Sequence, residues 1–456
     1  MSNAILQPVH VDVPHDIILE VTSSLDALND KKTLASLCLV SSSLRTVAQM
    51  ALFSRLFFTY VSVMDFRDGN ETLADESEAS QSSRFLRTIQ NYPHLAQYVR
   101  HFHFSVNETW LDGTGLFLKR GIISSWSGIM PRLSHLHGLH WEGDTITPWG
   151  SLGPVSRSII KRVLSSDVLT TVVLKGVAFV PPYTITHCPK LRTLDVSLVK
   201  GSNEEGVYGV VPIYLETLVV GSISYSTGIG QFVDLLNRPA SNISLSRLTS
   251  LSIPTEFAEI SDISAIISLC SSSLTDLKLK VPKMAEYPCG SLDGASPNVS
   301  ESCPTLDLSS LLTLTRLEIS GVIRVKWSHQ WELKEASSPL PWIGLVLKTL
   351  PGRYSSSSRY GGSQIRICLD IEDISVAVLE ALSWLDIEPS LQQQVNFRET
   401  QLKIRLIGKS GALGATSPSD PFQRPSTALE RKEALERKSN LGRLRRSVTI
   451  QLLETN

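Results

Sequence analysis

Histidine and cysteine are the residues of this chain whose types and spacing could carry chemistry. His101, His103 and His140 lie in the short runs HFHF (101–104) and LHGLHW (136–141). Imidazoles brought together can bind Zn²⁺ or change charge near neutral pH. The six cysteines are Cys38, Cys188, Cys270, Cys289, Cys303 and Cys368; none forms a CxxC pair, and none has a histidine at metal-ligand spacing. Reduced thiols, several of them filling a core, are therefore expected, with no metal and no cofactor. GKS at 408–410 has the ending of a phosphate loop, but Lys403 stands where that loop needs its first glycine. GxSxG, HExxH and GxGxxG do not occur. No spacing pairs two carboxylates for acid–base work. The chain is thus expected not to be an enzyme.

Whether those histidines meet depends on the elements that carry them. Both runs belong to a recurring phrase in which an apolar residue is followed by two variable ones, an apolar, a variable and an apolar. It recurs as VRHFHF (99–104), LHGLHW (136–141), LTTVVL (169–174), LRTLDV (191–196), LETLVV (215–220), LTSLSI (248–253), LTDLKL (274–279) and LTRLEI (314–319). IRICLDI (365–371) and LKIRLI (402–407) are looser versions. Each phrase reads as a short strand whose fourth and sixth residues face a core while the third and fifth face outward. Helical patterns lie between them, as in SRSIIKRVLSS (156–166), GQFVDLLNRP (230–239) and ISAIISLCSSS (263–273). Strand, helix or loop, then parallel strand is the unit of a leucine-rich-repeat solenoid, here irregular in spacing and mostly without the Asn that usually follows the strand.

Stacking the phrases in register predicts two exposed columns. The fifth positions are His103, His140, Val173, Asp195, Val219, Ser252, Lys278 and Glu318; the third are His101, Gly138, Thr171, Thr193, Thr217, Ser250, Asp276 and Arg316. Strands about 4.8 Å apart would make His103 and His140 neighbours, with His101 alongside. A zinc site needs three or four convergent ligands, so solvated histidines on a sheet face are the expected outcome. A protein substrate is expected on these columns, at His103, His140, Asp195, Lys278, Arg316 and Glu318.

Two stretches precede the repeats. In VPHDIILEVTSSL (13–25), Val13, Ile17, Ile18, Val21 and Leu25 recur at helical spacing, with Pro14 suited to a first helical turn. After the polar DALNDKK (26–32), Leu34, Leu37, Val40, Leu44 and Val47 resume the stripe, with Thr33 as its cap. Met50 to Phe58 reads as buried helix running into strand. Three short helices in so few residues would be marginal alone and need the rest of the chain, or a partner, to cover their apolar surface. Residues 61–84 are acidic and polar and read as a linker, and 411–456 read as a flexible basic tail, with eight Arg/Lys against three Glu between Arg424 and Arg446. The polar stretches 284–305 and 352–363 read as surface loops. Overall, 42% apolar and 19% charged residues suit a folded chain, and a net charge of −1 supplies no basic footprint for nucleic acid. Without a secretory leader or a run of about 18 apolar residues, no membrane span is expected, and the compartment is expected to be cytoplasmic or nuclear.

Residues 10–60 resemble an F-box, whose usual form runs Leu-Pro-x-Glu/Asp-Ile/Leu and then Leu-x-x-Leu-x-x-Val-Cys-x-x-Phe/Trp-Arg. Pro14, Asp16 and Ile17 match the first part, Leu34, Leu37, Val40, Leu44 and Arg45 follow the second, and Ala51, Leu52 and Phe53 fit its close. Val13, Ser41 and Leu44 stand where Leu, Cys and an aromatic are usual. With irregular leucine-rich strands behind it, the chain looks like the large fungal class of F-box proteins. The resemblance implies an α/β chain: an N-terminal three-helix F-box module, then an irregular leucine-rich-repeat (β/α) solenoid over 85–410. It also implies a substrate-recognition subunit of an SCF-type cullin–RING ubiquitin ligase. Pro14, Ile17, Ile18, Leu37, Val40 and Leu44 would meet the Skp-type adaptor or form the core beneath it, and the repeats would hold a protein substrate. The alternative is a leucine-rich-repeat scaffold for protein interaction that joins no ligase.

Overall fold

A computed structural model of the chain describes residues 15–25, 29–62, 76–108, 126–143, 147–149, 154–175, 177–178, 180–197, 209–221, 229–238, 241–255, 260–281, 305–327, 333–337, 339–351, 363–372, 397–409 and 448–455. They form a mixed α/β chain dominated by parallel sheet that closes into no barrel, in two compact units, 1–191 and 192–456.

The first unit begins with α1 (His15–Ser24), α2 (Lys31–Val40) and α3 (Ser42–Phe53). Both α1 and α2 pack on α3. Ser41 divides what the apolar spacing presented as one helix: its backbone is extended, and its hydroxyl accepts from the Leu44 N–H at 3.2 Å. Asp30, not Thr33, is the residue that precedes α2. Strand β1 (Arg55–Ser62) follows, then α4 (Glu76–Asn91), a 3-10 helix over Pro93–Tyr98, β2 (His101–Glu108) and β3 (Gly138–Gly143). Beyond these come β4 (Thr147–Pro148), α5 (Pro154–Leu164), β5 (Thr171–Leu174), β6 (Val177–Ala178) and α6 (Pro182–Ile185). Strands β1, β2, β3 and β5 pair in that order, all parallel, and β4 pairs with β6. Residues 76–84, expected as linker, are the first half of α4. Their polarity hid an amphipathic spacing that puts Ser82, Phe85 and Ile89 in the core.

The second unit contains β7 (Thr193–Ser197), β8 (Ile213–Tyr214), β9 (Thr217–Gly221), α7 (Ile229–Asn237), β10 (Ile243–Ser244), β11 (Ser250–Pro254), α8 (Ile260–Cys270) and β12 (Asp276–Lys280). It continues with β13 (Arg316–Trp327), β14 (Leu333–Ser337), α9 (Leu340–Lys348), β15 (Ser363–Glu372), β16 (Phe397–Lys409) and β17 (Val448–Thr455). Its main sheet runs β7-β9-β11-β12-β13-β15-β16-β17, all parallel, with β14 antiparallel on β13. β8 and β10 form a separate pair. The end of the expected tail is thus strand β17, a run VTIQLLET whose β-branched residues suit a sheet. The remainder of that tail and most of the two expected polar loops lie outside the described residues.

The first, fourth and sixth residues of all eight phrases are buried, from Val99, Phe102 and Phe104 to Leu314, Leu317 and Ile319. A ninth phrase, FSRLFF (53–58), lies in β1: Leu56 and Phe58 pair with Phe102 and Phe104. Its aromatic fifth position, Phe57, disguised it as a continuous apolar run. In the first unit Phe53 and Phe58 lie 6.5 and 6.0 Å from Phe85, and Phe58 lies 5.4 Å from Phe102, ring to ring. Aromatic packing through Phe85 of α4 therefore links α3 to the strands, and leaves the outer apolar residues of α1–α3 uncovered.

The second position of the phrase has its own role. The carbonyl there accepts the N–H groups of the next strand's second and third residues, as Thr249 does from Thr275 and Asp276. Where the second residue is Thr, its hydroxyl donates to the same carbonyl: Thr170 to His137, Thr249 to Glu216, Thr275 to Thr249 and Thr315 to Thr275, at 3.0–3.2 Å. A threonine ladder at the strands' N-terminal ends satisfies backbone that an Asn after the strand would serve in regular repeats.

Candidate functional site

The strand pairing reproduces both predicted columns within each unit. In the first, Phe57 pairs with His103, His103 with His140 and His140 with Val173. In the second, Asp195, Val219, Ser252, Lys278 and Glu318 follow one another, and Arg366 extends the row. Register follows from burying every fourth and sixth residue, because a one-residue slip would expose them all. Exposure does not follow. Val173, Asp195 and Ser252 are buried, which removes Asp195 from the expected substrate surface. Alternation reports which face a side chain is on and not whether that face is itself covered, and β5 and β11 are covered on both.

His103 is sandwiched between Phe57 and His140, with ring centroids 4.3 and 3.9 Å apart and planes within 18°. His101 lies 6.3 Å from His140. Gly138 permits this crowding: a Cβ there would collide with His101 Nδ1 and stand 3.3 Å from His140 Nε2. Burial, together with His103, His101 and Lys175, pushes His140 down to about 4, against an opposing pull from Glu142. Burial, aided by Arg55 and His137, lowers His101; burial, His101 and Arg55 lower His103. Stacked rings direct their nitrogens along parallel planes and do not converge on one ion. Among the described residues no group of three or more His, Cys, Asp and Glu is placed to hold a metal. The stack is a neutral aromatic platform at physiological pH. Cys188 and Cys270 are buried thiols pushed up to about 12 by burial, which leaves them protonated and inert.

The second unit brings Lys278, Glu318 and Arg316 together on one half-exposed face. Glu318 lies 3.8 Å from both Lys278 and Arg366. Arg316 grips Asp276 through two contacts, Nε to Oδ1 at 2.5 Å and Nη2 to Oδ2 at 2.8 Å. Arg405 grips Asp370 likewise, at 2.5 and 2.6 Å. Arg366, Asp370 and Arg405 had not been expected, because β15 and β16 deviate from the phrase that located the columns. Their signal was alternation, IRICLDI and LKIRLI, with Arg366 and Asp370, and Lys403 and Arg405, among the alternate outward positions.

The N-terminal helices carry the other expected set. Ile17 is 51% and Val40 69% exposed, Leu37 and Leu44 are half-buried, and Ile18 lies in α1. Pro14 lies outside the described residues. Val21, Leu39 and Met50 are exposed as well, while Leu34, Val47 and Ala48 form the core between helices. Arg45 ties α3 to the end of α2, donating from Nε to the Cys38 carbonyl at 3.1 Å. Sequence reasoning missed Leu39, which at 84% exposure is the least covered apolar side chain among the described ones of the three helices. No helix among the described residues is long and apolar enough to cross a membrane. No protein-family model matches the chain, and no curated protein matches it in sequence.

Proposed function

We propose that this chain is a non-enzymatic substrate-recognition subunit of an SCF-type cullin–RING ubiquitin ligase, working in the cytoplasm or nucleus. Its first three helices would act as an F-box that docks on a Skp-type adaptor, and its strands would form an irregular leucine-rich-repeat solenoid that holds a protein substrate. The observation that carries the reading is the apolar surface of α1–α3. Ile17, Val21, Leu39, Val40 and Met50 stand exposed on helices whose core is otherwise filled. Large apolar side chains left in water on three helices that pack together mark an interaction surface. Those positions coincide with, or neighbour, the residues that carry the F-box resemblance. The mechanism is scaffolding: binding substrate and adaptor at once raises the substrate's effective concentration beside the ligase's ubiquitin donor.

Co-purification of the full chain with a Skp-type adaptor tests this. Ile17→Glu with Val40→Glu should abolish capture and leave the fold intact, since both side chains are exposed. Capture unaffected by the double variant, or absent from the unaltered chain, refutes the reading. Absent capture with retained substrate binding would instead favour a repeat scaffold outside any ligase, a reading that the usual residues missing at positions 13, 41 and 44 support.

A further inference from the structure

We propose that the outward face of β12, β13, β15 and β16 is a docking surface for an acidic protein segment, one rich in carboxylate or phosphate. The inference rests on reading the sheet face as the substrate surface and names the chemistry of what it takes.

The charge on that face is unbalanced. Among the described side chains of that face, three carboxylates, Asp276, Glu318 and Asp370, are met by six cations. Asp276 and Asp370 are each consumed by a two-point contact with one arginine. Glu318 is divided between Lys278 and Arg366 at 3.8 Å apiece, so neither cation is fully neutralised. Lys280 and Lys403, in the neighbouring row, form no ion pair with a described residue. The pairing Lys278–Glu318–Arg366 lies one step along the strands from the row Lys280–Ser320–Cys368–Lys403. Lys278 and Arg366 are about half exposed, their side chains retaining 48% and 47% of their accessible surface.

The same face argues against other partners. Its described outward residues include no aromatic side chain on which nucleic-acid bases could stack. No exposed apolar patch lies among them to enter a lipid surface or pair with an apolar helix. What remains is a polar, cation-rich sheet face, which complements an extended anionic chain. Because the cations come from four separate strands, the ligand must carry several charges spread along its length; a single free anion would meet only one or two of them.

The test uses the full chain and a fluorescent Glu-rich peptide of about eight residues, enough to cross from β12 to β16 at about 4.8 Å per strand. Fluorescence anisotropy is measured against the same peptide with Gln for Glu and with phosphoserine for Glu. The Glu or phosphoserine peptide should bind, weaken as NaCl rises, and lose about tenfold or more in affinity in Lys280→Glu/Lys403→Glu. The milder Lys280→Gln/Lys403→Gln should lose less, and circular dichroism should show both variants folded. Preference for phosphoserine over Glu assigns phosphate as the source of charge, and equal binding assigns carboxylate; both support the proposal. Failure of both peptides to bind, equal binding of the Gln peptide, unchanged affinity in the folded charge-reversal variant, or tighter binding of a single-stranded oligonucleotide overturns it. Adaptor capture is read separately, so a chain that captures the adaptor yet ignores acidic peptides refutes this inference alone.

Discussion

Acid should destabilise the first unit through His140. In the folded chain its pKa is held at about 4, whereas an imidazole in an unfolded chain titrates near ~6.5. Between those values the unfolded chain carries the extra proton. The stability contributed by neutral His140 is therefore complete above pH ~6.5 and is lost as pH falls toward the folded value. By pH ~4.5, about 2.6 of the ~3.4 kcal/mol that the whole shift represents would be lost. His140 is only partly buried, and solvent screening reduces this to about 1.3 kcal/mol. The groups facing it have been named: His103 stacks on it, His101 and Lys175 oppose its protonation, and Glu142 favours it. His140→Phe keeps a flat ring against His103 and cannot titrate. Urea unfolding followed by tryptophan fluorescence at pH ~7.5 and ~4.5 should show the unaltered chain losing about 1.3 kcal/mol more than the variant. Carboxylates that titrate in the same interval affect both chains alike and cancel. Equal losses in the two chains would refute the argument that crowding of the imidazoles, and not protonation elsewhere, makes the unit acid-sensitive.

Two further outcomes follow from the same geometry. Gly138→Ala should destabilise the first unit by about 1–3 kcal/mol, because the new methyl enters space held by His101 and displaces the stack; a thermal melt checks it, and an unchanged midpoint refutes it. Replacing Thr275 with Val removes a hydroxyl that donates to Thr249 O while leaving the strand's shape, and should cost about 0.5–1 kcal/mol in urea unfolding, with Thr315→Val adding a similar amount if the ladder acts link by link.

What could be read from sequence and what could not divides along a physical line. Burial of Leu, Ile, Val and aromatic residues at the first, fourth and sixth positions is a local pattern repeated many times, and it dictated strand position, parallel stacking and register. For that reason His103 met His140, and Lys278 met Glu318, as the spacing required. The strand at the end of the Met50–Phe58 run was legible, but its place in the repeat was not, because Phe57 puts an apolar ring where the pattern expects a polar residue. Residues 76–84 escaped because their one described buried position, Ser82, is itself polar and the apolar anchors of the helix, Phe85 and Ile89, come only after them. Strand β17 escaped because its short β-branched run follows a stretch dense in Arg and Lys, and the composition of that stretch outweighed it.

Tertiary structure alone decided which outward-facing residues meet water. The residues at the fifth position of β2, β3, β12 and β13 remain accessible, whereas Val173, Asp195 and Ser252, identical in their place within the phrase, are buried. Alternation sets the direction of a side chain through local geometry, but burial depends on what long-range folding lays over it. The same holds for the imidazoles. Their types and register were legible in the sequence, but the burial that holds His140 neutral, and its 3.9 Å stacking on His103, arise only when two strands and the bare backbone of Gly138 come together.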